Sequence, residues 1–205
     1  MKLRLFPQET GALELLAEMA QQSVLAVQVL SEMFGARRQD HERIFEELMK
    51  IDTRTSELQR ALLTQLRTSF VNPLPREDFL ELSDGLGAAM DQLVAVGEIT
   101  VLNRLDRLAH EASDQLEIVN RQAELTVAAM RGLGRLDDLE DFWVEIVRLT
   151  KRANHTHRVW SAKAIRDLSL SSYARGIEMA RALLMAAQAF RDVAASVGRI
   201  IVKES

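Results

Sequence analysis

The 205-residue chain contains no cysteine, which excludes disulfides, thiolate metal sites and cysteine nucleophiles. Proline is nearly as scarce: there are three, and none follows Pro75, so the long remainder of the chain has no residue that must break a helix. No uncharged apolar run approaches the ~18 residues that a membrane span needs. The opening stretch, MKLRLFPQETGALELL, has two basic residues but no uninterrupted apolar core and no small-residue cleavage site, so it reads as the start of a mature cytoplasmic chain. Seven Phe, two Trp and one Tyr are too few for a platform that stacks bases. Basic and acidic residues interleave at a net charge of −4, which argues against a nucleic-acid footprint. There is no P-loop, no G-x-G-x-x-G and no nucleophile beside a general base at a recognisable spacing. GLGRL, near Gly132, is too short for a phosphate loop and follows no strand. No catalytic residue and no enzymatic activity are expected.

What is present is helical periodicity. Apolar residues make up 47% of the chain and charged residues 27%, a balance that builds a core rather than a disordered chain. Apolar positions recur at three and four; Ile44, Leu48, Ile51, Thr55, Leu58 and Leu62 form one sustained stripe of coiled-coil type. Breaks fall near Gly35, at Pro73 and Pro75, at Gly132 and Gly134, and more weakly at DLSLSS. Six helices follow, at roughly 9–35, 38–70, 76–105, 107–131, 137–168 and 171–202, the first capped near Glu9 or Thr10. The junction near Asp106 carries neither proline nor glycine to mark it. Long helices with short connections pack as antiparallel neighbours, so the expected fold is all-α and bundled. Three helices precede the middle and three follow it, which suggests duplication into units 1–105 and 106–205.

Within this pattern LGAAMD, residues 86–91, is odd. Gly85 and Gly87 fall inside a helix, each costing about 1 kcal/mol relative to alanine. Other candidates have plainer readings. HEASD places His110 and Asp114 at i, i+4, close to H-E-x-x-H, but without a third zinc donor it reads as a solvated face. His155 and His157, at i, i+2, point to different sides of a helix and make a poor chelate. Asp137, Asp138, Glu140 and Asp141 suit a helix N-terminus. Trp143 and Trp160 lie near the stripe of Ile146, Leu149 and Ala153, and the methionines recur at helical spacing; both read as core.

The stretch LRTSFVNPLPREDFLELSDGLGAAMD resembles the PhoU-like family, in the branch of phosphate-transport accessory proteins associated with low-affinity phosphate permeases. Leu66, Phe70, Pro73, Arg76, Glu77 and Asp78 fit that branch's L-x-x-x-F-x-T-P-x-x-R-E-D-I, and Leu86 and Asp91 continue the register. FRDVAASVGRIIVKES resembles the family's closing helix, and LEDFWVEIVRLTKRANHTHR matches its His-Arg at His157 and Arg158. The resemblance spans essentially the whole chain. It implies two tandem three-helix bundles and a repeated E/D-x-x-x-D motif, in which carboxylates at i and i+4 share a helix face and hold iron or zinc clusters.

Carried onto this chain, the motif positions are Asp52 and Ser56, Gly87 and Asp91, Thr150 and Asn154, and Leu184 and Gln188. Only Asp52 and Asp91 remain acidic, and Lys151 and Arg152 stand beside the third pair. The resemblance therefore implies a degenerate site: no metal, no cofactor, and LGAAMD as a motif stripped of its donors. The expected function is a non-enzymatic accessory or regulatory protein of inorganic phosphate transport that acts by protein contact. Its expected partner is a membrane phosphate permease at the inner face of the membrane, or another signalling protein, and a homodimer is expected. Two alternatives stand beside it: an iron- or zinc-binding regulator with substitute ligands, and a structural bundle unrelated to phosphate.

Overall fold

Periodic apolar spacing of this kind can bury its stripes only by helix packing, and a computed structural model of the chain shows that outcome. It describes residues 11–69, 71–106, 108–135 and 139–204. Six helices follow in order: α1 Gly11–Gly35, α2 His41–Thr68, α3 Arg76–Leu102, α4 His110–Gly132, α5 Leu139–Asp167 and α6 Leu170–Glu204. A single 3-10 turn, Arg38–Asp40, leads into α2, and no strand occurs among the described residues. The fold is an all-α helical bundle. Glu9 and Thr10, expected near the first cap, lie outside the described residues, as do Phe70, Asp137 and Asp138.

α2 buries a narrow stripe of Ile44, Leu48, Thr55, Leu58, Leu62 and Leu66, and α5 does the same with Phe142, Ile146, Leu149 and Ala153. A narrow stripe on a polar helix suits an outer position. α1, α3, α4 and α6 carry wider buried faces. The contacts follow: α1, α2 and α3 pack on one another, as do α4, α5 and α6, while α1 lies against α4 and α3 against α6. The two triplets thus share one continuous core. Helix starts at 11, 41 and 76 in the first triplet recur at 110, 139 and 170 in the second. α3 is long and apolar enough by length and composition to cross a membrane, but here it packs against α1, α2 and α6 with Phe79, Leu82, Leu86, Leu93 and Val96 buried.

The unmarked junction has its own device. α3 ends two residues before Arg104, which adopts φ 50 in the left-handed region. The Arg104 N–H donates to the Val101 carbonyl at 3.0 Å, and the Leu105 N–H donates to Thr100 at 3.1 Å. That pair of bonds is a Schellman cap, with arginine where glycine or asparagine usually stands. The connection then runs to Ala109, so α4 begins three residues later than the apolar pattern indicated. At the weak break in DLSLSS, the Ser172 N–H donates to the Ser169 hydroxyl at 3.3 Å, and α6 starts as α5 ends.

Candidate functional site

Asp52 and Asp91, the two acidic residues among the expected motif positions, lie near each other across α2 and α3. Asp52 is half-buried and Asp91 exposed. Burial first, and the charge of Asp91 second, push the Asp52 carboxyl above its ordinary value. Ser56 is exposed beside them. Among the described residues no group of three or more His, Asp or Glu side chains is placed to hold a metal ion.

The glycines of LGAAMD and its flank separate into two kinds. A Cβ on Gly85 would meet the Val193 side chain of α6 at 2.9 Å, so there the missing side chain lets two helices close together. A Cβ on Gly87 would meet only the Gln59 amide at 3.8 Å, an ordinary contact. Gln59 in turn donates to Asp84 at 3.1 Å, tying α2 to α3 beside Gly87.

The second-half positions enter a different arrangement. Thr150 is buried; it donates to the Ile146 carbonyl at 2.9 Å and accepts from the Gln122 amide at 2.9 Å. The same Gln122 amide reaches the Ala187 carbonyl at 3.2 Å, so one polar layer links α4, α5 and α6. Asn154 turns back to the Thr150 carbonyl at 2.9 Å. Leu184 packs against the core and Gln188 is half-buried. Seven residues along each helix the pattern recurs. Gln115 is fully buried with its amide unpartnered, and His157 hydrogen-bonds the Ala180 backbone. Burial holds the His157 imidazole below the usual histidine value, and the backbone bond opposes this less strongly.

The remaining sequence candidates resolve simply. His110 pairs with Asp114 at 3.0 Å on an exposed surface. His155 is exposed, away from His157. Of the acidic run, Glu140 and Asp141 sit in the first turn of α5. Met19, Met33, Met90, Met130 and Met179 are buried, whereas Met49 and Met185 are exposed.

The tryptophan expectation needs a correction. Trp160 is buried at 6% exposure, but Trp143 is 44% exposed. It sits one residue off the buried Phe142, so the helix turns its ring out of the core. The ring lies along α6 where Gly198 has no side chain; a Cβ there would meet it at 3.4 Å. Trp143, Val144, Ile201 and Val202 line a groove of about 730 Å3 between α5 and the end of α6, with Val144 56% and Val202 79% exposed. The cations on its wall are already engaged by α3: Arg199 pairs with Glu81, and Lys203 with Asp78 at 2.5 Å. The Arg199 hydrogen bond holds the Glu81 carboxyl below its ordinary value. The groove was legible in sequence only as apolar residues falling off the α5 stripe. No protein-family model matches this chain, and no curated protein matches it.

Proposed function

We propose that this chain is a non-enzymatic accessory protein that works by contact with another protein, and that the process it serves is inorganic phosphate transport. The observation that carries the contact reading is the groove of Trp143, Val144 and Val202, an apolar surface at one end of the bundle whose two cations are already engaged by α3. Such a surface suits an apolar helical segment laid between α5 and α6. The phosphate assignment rests on the PhoU-like stretches around Arg76–Asp78 and at the C-terminus, and makes a membrane phosphate permease the partner. The replaced carboxylates at Ser56, Gly87, Thr150, Asn154, Leu184 and Gln188 support a contact that needs no metal cluster.

The test is co-purification with a detergent-solubilised low-affinity phosphate permease, using wild type and the Val144→Asp/Val202→Asp double variant. The expected result is retention of wild type and loss of at least about tenfold in the variant, since charges would be buried unpaired. Absence of wild-type retention overturns the phosphate reading. Retention of both proteins moves the contact to another face. Sedimentation of the same pair shows whether a second copy of this chain occupies the groove instead.

A further inference from the structure

The α3–α4 connection closes over a second hollow, of about 450 Å3, against the end of α5 and the start of α6. Leu105, Leu108 and Met179 supply apolar wall, and Trp160 lies buried within it. Among the described residues Trp160 makes no side-chain hydrogen bond, and its ring contributes a buried aromatic wall. Tyr173, half-buried, stands on the same wall.

Two exposed arginines line the same hollow. Arg104 has no acidic partner among the described residues; Arg175 gives its Nε to the Ser171 carbonyl at 3.4 Å and pairs with no carboxylate. The one acid on the wall, Asp106, is engaged by Arg38 at 3.6 Å. The connection is pinned where it matters, since the Asn103 amide donates to the Arg175 carbonyl at 2.8 Å. The conformation at position 104 adds a second observation. Its φ of 50 favours glycine, yet an arginine occupies it. An observed backbone outlier on the wall of a hollow points to a use for the residue that occupies it.

We propose that this hollow binds an amphiphilic organic anion, its carboxylate or phosphate head held by Arg104 and Arg175 and its apolar body against Trp160. The size falls in the range of small-molecule sites, and the lining has their usual form, apolar with a few convergent polar groups. Guanidinium groups match either head group through paired N–H donors.

The chain has two tryptophans, so a Trp143→Phe background makes Trp160 the only indole emitter. Octanoate and octyl phosphate, kept below micellar concentration, are expected to shift its emission saturably. 1-Octanol is expected to bind at least about tenfold more weakly, because it lacks the charge that two arginines recognise. Inorganic phosphate is expected neither to shift the emission nor to displace octanoate. In the same background, Arg104→Gly/Arg175→Gln should bind octanoate about tenfold more weakly, level with octanol. Arg104→Gly alone should raise the unfolding temperature, which separates loss of binding from loss of fold. No saturable response, equal binding of octanol and octanoate by wild type, displacement by inorganic phosphate, or undiminished binding in the double variant would each overturn the proposal. So would a lower unfolding temperature for Arg104→Gly, which would make Arg104 a structural residue.

Discussion

At the scale of single residues, the structure assigns opposite consequences to two charges. Asp52 is pushed above its ordinary carboxylate value by burial and by Asp91, so its ionised form weighs against the fold. That penalty is fully present at neutral pH and disappears as pH falls through the raised folded value towards 3.8. Asp52→Asn should therefore stabilise the protein at pH 7, by no more than about 0.5 kcal/mol once solvent screening is counted, with the gain gone in acid. Thermal unfolding of both proteins across pH checks the sign. If the pair retained a metal, iron or zinc would raise the wild-type unfolding temperature and spare the variant; no such difference is expected. Arg104 works the other way. Its left-handed backbone costs about 1–2 kcal/mol relative to glycine, so Arg104→Gly should gain stability while losing the anion preference.

At the scale of helices, most of α1 to α6 was legible, because a stripe repeated at three and four leaves a helix one way to bury it. The α3–α4 junction was not. A left-handed arginine carries no signature of its own, and it is the hydrogen bonds to Thr100 and Val101 that reveal the cap. Nor could the glycines of α3 be sorted by sequence, since what opposes each depends on the neighbouring helix. A Cβ on Gly97 would lie 2.7 Å from the buried Leu48 and 3.0 Å from the Phe45 ring, whereas Gly87 has room. Gly97→Ala should destabilise by about 1–3 kcal/mol through overpacking. Gly87→Ala should stabilise by up to about 1 kcal/mol through helix propensity. Denaturant midpoints of the two variants, shifting in opposite directions, would establish the difference; a shared direction would refute it.

At the scale of the whole molecule, α3 and α6 are joined by more than apolar contact. Asp78, 2% exposed, meets Lys203 at 2.5 Å, and Glu81 meets Arg199 and accepts from Ser196 at 3.1 Å. Two of the three stretches that carry the PhoU-like resemblance, around Asp78 and around Lys203, are thus in contact though far apart in the chain. Lys203→Ala strands a buried carboxylate and should lower the unfolding temperature more than Lys151→Ala on the solvated face of α5; adding Asp78→Asn should recover part of the loss. By itself the sequence determined the all-α class, the six helices and every break but the one between α3 and α4, because those follow from local periodicity and from where proline and glycine stand. The tertiary structure alone decided that Asp52 faces Asp91, that Thr150 closes a polar layer with Gln122, that Trp143 faces outward, and that Arg104 lines a hollow beside Trp160. Each of those depends on which helix faces are opposed and at what register, and that is set by packing six helices around one core.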